Sequence, residues 1–294
     1  MLLLGTWGTK RNNMKTLRFF GVCLLASLLC VNFSACGGED TPEPENPGNN
    51  PSNPTVGPGN GSSSNEKRLV KMEFIEDDGT EIFSFEYDEQ GRVITAIEEE
   101  DASYGFSIDI NRLTWKGNTL IYNEDGDDDN IVFTLKNGRI VSERYDYEDE
   151  DRTKYEYDND KRLVKIVHEE ATTTFSWTYG KIAKWSKNYN SPYDEDYYKE
   201  IIYSNQTCKG FFPEFGSLAE DDYIFNMAQP ELFGLKSNYL PSSIIRKDND
   251  ETTKYDYTYT FDEEGYIKSY TEESTNSSSY GTSYGTAQCI LTWE

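Results

Sequence analysis

The sequence predicts an all-β domain: an antiparallel meander of repeated hairpins forming a curled sheet, open barrel or sandwich, with one short helical insertion. Three observations carry that expectation. Aromatic and polar residues alternate with a period of two, as in EIFSFEY (81–87) and KYDYTYTF (254–261). A turn motif recurs as YDEQGRV (87–93), YDNDKRL (157–163) and FDEEGYI (261–267). Tight-turn signals at KGN (116–118), NG (137–138) and YGK (179–181) alternate with those turns, and from Asn65 to Gly180 the spacing is roughly 21–26 residues, which suits a unit of two strands and two turns.

The first sixty residues stand apart from this pattern. Lys10, Arg11, Lys15 and Arg18 precede the apolar run FFGVCLLASLLCVNF, which ends at FSAC. Basic residues, an apolar stretch and small residues before a cut make a secretory signal over 1–35, and Met14 is an alternative start. Residues 36–64 are Pro, Gly, Asn and Ser with little to bury, the composition of a disordered tether. The globular part is then a single domain over 65–294.

That domain is strongly acidic. Four basic and four acidic residues precede Asn65, so the whole net charge of −25 falls on the domain. Such a surface repels nucleic acid and anionic headgroups, which argues against nucleic-acid partners. The acid gathers in EEED (98–101), EDGDDD (124–129) and YEDED (147–151), the loops opposite the YDxxG turns.

In the turn motif, the aspartate can accept backbone N–H groups freed by the reversal, and glycine supplies the positive φ. Lys161 replaces that glycine in the second copy, so either a different turn geometry or help from Asp160 is expected there, with greater strain. From Tyr203 to Pro241 the strand rhythm breaks. Ser217 and Glu220 in SLAE form a capping-box pattern before a short helix ending near Pro230, in an apolar insertion at about 205–240 expected to cover an open end or edge of the sheet.

Chemistry is sparsely signalled. His168 is the sole histidine, so a His-rich zinc site is excluded and a His-based nucleophile would rest on one residue. No phosphate-binding glycine loop occurs, and carboxylates are too numerous to nominate a catalytic pair. Catalytic residues are therefore none, and a cofactor is not required. Asp125, Asp127 and Asp129 could offer hard oxygens to calcium, although the loop lacks the EF-hand spacing and a solvated hairpin tip is the simpler account. Trp185 and Trp115 are candidate sugar-stacking aromatics, with Trp185 favoured for exposure by its lysine neighbours. An exported location permits a Cys208–Cys289 disulfide; two buried thiols are the alternative.

Ser34 and Ala35 before Cys36 resemble the lipobox of bacterial lipoproteins, in which that cysteine is acylated. Glu39 and Asp40 resemble the export signal that carries Bacteroidetes lipoproteins to the cell surface. With the tether, the hairpins and the segment LPSSI…YTYTFDEEGYIKSYT, the chain resembles a Bacteroidetes outer-membrane lipoprotein family with a β-rich domain of unknown function, and the hairpins look like the tyrosine–aspartate (YD) repeats of bacterial surface proteins. The resemblance implies an antiparallel β domain held on the outer membrane by lipid, facing the outside. The function expected is a non-catalytic binding or scaffold module for glycan or protein. The alternatives are a carboxylate-based glycan hydrolase and a calcium-stabilised structural module.

Overall fold

A computed structural model describes residues 66–294 except 78, 104, 127, 192–195, 220–222 and 249–250. The signal segment, Cys36, Glu39, Asp40 and Asp127 lie outside the described residues. The first eight strands are β1 (Leu69–Ile75), β2 (Gly79–Tyr87), β3 (Val93–Ala102), β4 (Gly105–Lys116), β5 (Thr119–Glu124), β6 (Ile131–Lys136), β7 (Arg139–Tyr145) and β8 (Thr153–Tyr157). The second eight are β9 (Leu163–His168), β10 (Ala171–Thr178), β11 (Lys181–Tyr189), β12 (Tyr197–Thr207), β13 (Tyr239–Asp248), β14 (Glu251–Phe261), β15 (Ile267–Ser278) and β16 (Gly281–Trp293).

Each strand pairs antiparallel with its neighbours in sequence, and β16 returns to β1, with Met72 opposite Leu291 and Phe74 opposite Cys289. The meander therefore closes into a sixteen-stranded barrel, which leaves no edge to protect. An up-and-down meander places alternate connections at opposite ends. The turns after β2, β4, β6, β8, β10, β12 and β14 lie with both ends of the described chain at what is here called the proximal end. The acidic loops lie at the distal end.

The YDxxG turns are built alike. Asp88 Oδ1 accepts the N–H groups of Gln90 and Arg92, both at 2.9 Å, and its Oδ2 accepts Arg92 Nε at 2.7 Å. Asp158 does the same with Asp160 and Arg162, and Asp262 accepts Glu264 and Tyr266 N–H. A changed geometry at Lys161 is not found: it adopts φ +63° where Gly91 has +81°, and its N–H bonds Asp158 O at 3.0 Å, as Gly91 bonds Asp88 O at 2.9 Å, while Asp160 Oδ2 lies 3.0 Å from Arg162 Nη2. The arginine–aspartate clamp holds the turn in shape in spite of the side chain. Lys161→Gly is accordingly expected to stabilise the protein by about 1 kcal/mol in chemical denaturation, by relieving a left-handed lysine. A loss of stability would show that the lysine contributes more than its backbone costs.

Flanking residues complete a larger repeat. The phenols of Tyr87, Tyr157 and Tyr259 donate to the carbonyls of Leu69, Ile140 and Pro241 on the preceding strand. After each turn the first carbonyl of the return strand, Val93, Leu163 or Ile267, accepts an indole N–H from Trp115, Trp177 or Trp293 at 2.7–2.8 Å. Arg92 covers Trp115 and Arg162 covers Trp177. Four strands thus form one unit, present at β1–β4, β7–β10 and β13–β16.

The insertion, expected to cover an open end or edge of the sheet, enters the barrel from its proximal end and fills it. It contains α1 (Glu214–Ser217), α2 (Phe225–Ala228) and a 3-10 turn over Pro230–Phe233. Ser217 ends α1 and donates back to Glu214 O at 2.8 Å, so it does not cap the following segment. Phe212 packs on Tyr257 and Tyr270, Phe225 on Tyr122 and Phe133, and Phe233 on Tyr155. Gln229 accepts Val93 N–H at 2.9 Å, and Trp185 donates to Leu218 O at 2.9 Å. These wall residues come from strands around the whole circumference, so the insertion is a plug that serves as the barrel's core.

Candidate functional site: the distal lumen

Register decides which side chains face inward. Phe83 and Phe85 are buried and point into the barrel, so Glu81, in phase with them on β2, does too. Glu98 and Glu100 on β3 stand opposite Phe83 and Glu81 and share that face. Across the lumen, buried Ile201 sets the phase of β12, so Lys199 points inward, opposite Arg246 on β13. Beyond the plug, the distal lumen therefore carries an acidic wall facing a basic and aromatic one. Lys199 lies over Trp185 at 5.2 Å and Arg246 over Tyr197 at 4.3 Å.

At the floor, Tyr257 Oη donates to Glu272 Oε2 at 2.7 Å and lies 3.3 Å from Glu214 Oε2 on α1. Tyr270 also faces Glu214. Burial, followed by the neighbouring carboxylate, raises the Glu272 carboxyl to about 8; burial likewise holds Glu214 above the usual carboxylate range. Glu81 rises to about 8, through burial and then the charge of Glu98. Glu272 and Glu81 therefore hold protons at neutral pH, because each is buried beside other carboxyls.

The other residues singled out from sequence fall elsewhere. Trp185 is 4% exposed against the plug, which corrects the expectation of exposure: it stands opposite buried Phe175 across the β10–β11 pair. Trp115 is half-buried beneath Arg92. Both indoles are structural donors, unsuited to sugar stacking. Cys208 and Cys289 are buried free thiols with no disulfide between them; burial pushes Cys208 up to about 12. Cys208 donates to Asn238 O, while Cys289 sits in the wall beside Tyr270. Asp125 is occupied by Arg112, whose Nε and Nη2 lie at 3.1 and 2.9 Å, and no group of metal-ligating side chains forms among the described residues. His168, at the distal end of β9, accepts Glu170 N–H on Nδ1; burial lowers its pKa.

The inward acids escaped the sequence reading, although a signal existed. Glu81 is in phase with Phe83 and Phe85, and a carboxylate on the apolar face of a strand must be buried, paired or lining a cavity.

No protein-family model matches this chain, and no curated protein matches it significantly. Solved structures do. A porin-like protein from Bacteroides uniformis ATCC 8492 superposes with a TM-score of 0.62 at 16% identity, covering 81% of this chain and 100% of that one. A porin-like protein from Bacteroides vulgatus ATCC 8482 gives 0.51 at 14% identity, covering 78% and 99%. The likeness is one of fold. In this chain the outer wall carries ion pairs on outward-facing strand positions: Lys71–Glu73 at 2.8 Å, Lys165–Glu156 at 3.6 Å and Lys254–Asp256 at 2.7 Å. A lipid-embedded barrel needs an apolar band about 25 Å tall at those positions. Here the aromatic core and the plug fill the inside, while the outer face mixes these charged pairs with exposed apolar side chains such as Phe106, Ile108 and Ile202.

Proposed function

We propose that the chain is a lipid-anchored, non-catalytic binding module of the outer membrane that presents the distal lumen to a glycan or protein partner on the cell surface. The observation that carries this reading is the opposition of the two ends. The described chain begins at the plugged proximal end, so a tether from Cys36 would hold that end near the membrane and turn the charged mouth outward. The porin-like description of the Bacteroides proteins supports the outer-membrane location. Pore function is not carried over, because the plug fills this barrel and its wall is charged.

A carboxylate-based hydrolase draws one supporting observation, the approach of Glu214 and Glu272 to a single phenol. Glycosidase carboxyls flank the scissile bond at about 5–9.5 Å. Tyr257 Oη stands in that space and bonds both groups, which makes the pair a structural lock. The test is labelling of intact cells with a membrane-impermeant reagent, comparing wild type with Cys36→Ala and with Glu39 and Asp40 neutralised. Labelling that requires Cys36 and the acidic pair supports surface display, and a glycan and host-protein binding screen follows. Shielding of the wild-type domain in intact cells would overturn the reading.

A further inference from the structure

Closure removes the sheet edge only where β1 and β16 run together. Their pairing ends at Ile75 opposite Gln288, and by Glu76, whose N–H bonds Gly79 O at 3.0 Å, β1 has turned toward β2. β16 continues distally to Gly281 in unbroken register with β15. Among the described residues, the stretch from Gly281 to Ala287 is therefore paired on one side only, which leaves an open edge about 20 Å long at the distal end. Such edges are ordinarily blunted by lysine, proline, a bulge or an inward charge. This one has none of them: STNSSSYGTSYGTAQ (274–288) contains no charged residue and no proline, in a chain that is 28% charged. By contrast, the shorter overhang of β4 past β5, Gly105 to Asp109, carries Asp109 in phase with buried Asn111. On β16, Ser283, Gly285 and Ala287 share the inner face of buried Cys289. Thr282, Tyr284 and Thr286 stand on the outer face, with Tyr284 72% exposed.

The foot of this edge is acidic. Exposed Glu76 and Asp77 stand where β1 ends, and no basic residue occurs between Lys71 and Arg92 or between Arg92 and Arg112. The distal parts of β1–β4 thus carry acid alone, Glu99 and Asp101 included. The lysines nearest the edge are already paired, Lys71 with Glu73 at 2.8 Å and Lys254 with Asp256 at 2.7 Å. We propose that the distal edge of β16 takes up an extended, basic peptide segment of a partner protein as an added β-strand. The segment runs antiparallel to β16, with its basic residues at its N-terminal end beside Glu76 and Asp77. Main-chain hydrogen bonds to the open edge supply the attachment, and Thr282, Tyr284 and Thr286 pack against β-branched side chains of the added strand. Charge commits the edge to that occupant. A second copy would bring another net −25 to an acidic end. The chain's own N-terminal segment has no Lys or Arg from residue 19 to residue 66 and joins the described chain at the proximal end.

This inference rests on the binding-module reading in naming a protein partner, but the contact uses neither the anchor nor the lumen. The experiment uses the full lipoprotein in detergent at about 150 mM salt, with the peptide KKTVTVTVT carrying a fluorophore at its C-terminus. Fluorescence anisotropy is expected to rise on binding, and amide hydrogen exchange to slow within 281–287. The charge-reversed peptide EETVTVTVT is expected to bind about tenfold more weakly. KKTPTPTPT, which keeps the charge and cannot pair as a strand, is expected not to bind. Combined Glu76→Lys and Asp77→Lys, at two exposed turn positions, is expected to reverse the preference between the first two peptides; the peptide series gives the same discrimination on the unaltered protein. Equal binding of the lysine and glutamate peptides, binding of the proline peptide, unchanged exchange within 281–287, or no binding at millimolar peptide overturns the proposal. Exchange within 281–287 that slows with protein concentration in the absence of peptide assigns the edge to a second copy and overturns it as well. Surface display is read separately by the labelling of intact cells, so failure of strand addition and failure of the surface reading are distinguishable.

Discussion

Phe212→Ala or Phe225→Ala is expected to lower stability by about 3–5 kcal/mol, the cost of removing a fully buried aromatic ring without repacking. Both rings are 0% exposed and each meets aromatic residues of at least two barrel strands. Gly216→Ala should be at least as damaging. A Cβ on Gly216 would stand 2.1 Å from Asn226 O and 2.4 Å from Asn226 C, backbone atoms that cannot move without separating α1 from α2. Urea denaturation of the three variants checks this, with the exposed tip variant Tyr179→Ala as the reference. If the phenylalanine variants lose less than about 1 kcal/mol, the insertion is a removable stopper and the wall is stable without it. The distinction has functional weight, because a stopper could open a channel whereas a core cannot leave a folded barrel.

How much of this was legible in the sequence follows from what a period of two can say. Alternation at Phe83, Phe85 and Tyr87 identifies a strand and its buried face, and the YDxxG turns identify hairpins, so the all-β meander could be read directly. Closure could not, because alternation is identical in a sandwich, an open sheet and a barrel; the pairing of Met72 with Leu291 is made by residues more than two hundred positions apart. The plug shows the same limit. Phe211, Phe212, Phe215 and Phe233 advertise burial, but whether they lie over a sheet or within a ring depends on that closure. Trp185 misled because its lysine neighbours suggested a wet surface, whereas Lys184 simply points outward and Lys199 lies across the indole. The lumen acids were hidden by abundance: among 53 acidic residues, only phase with an apolar face separates Glu81 from the loop carboxylates.

That separation gives the barrel an unusual pH profile. Folding stability is expected to fall as pH rises from about 4.5 to about 8, the reverse of ordinary carboxylate behaviour. Glu81 and Glu272 are raised to about 8 in the fold by burial first and by neighbouring carboxylates second, whereas in the unfolded chain they titrate near 4.5. Between those values the folded state holds protons that the unfolded state has released. Their contribution is complete below about 4.5, declines through the window and is lost above about 8, at about 1.4 kcal/mol per pH unit for each group while it differs by one proton. The turn aspartates act in the opposite sense. Hydrogen bonds from Arg92 and Arg162 outweigh desolvation and hold Asp88 and Asp158 below 3.8, so their contribution is present above that value and is lost only as pH falls through their lower folded values. The two effects leave greatest stability in mildly acidic solution. Glu272→Gln keeps an acceptor for Tyr257 and removes one titrating proton, so its denaturation midpoints at pH 5, 6.5 and 8 (about 1.5 units apart, within the linkage window) should decline less steeply than those of wild type. An unchanged slope would mean that the floor of the lumen is hydrated and ionised, and that Glu214 and Glu272 do not share a proton across Tyr257.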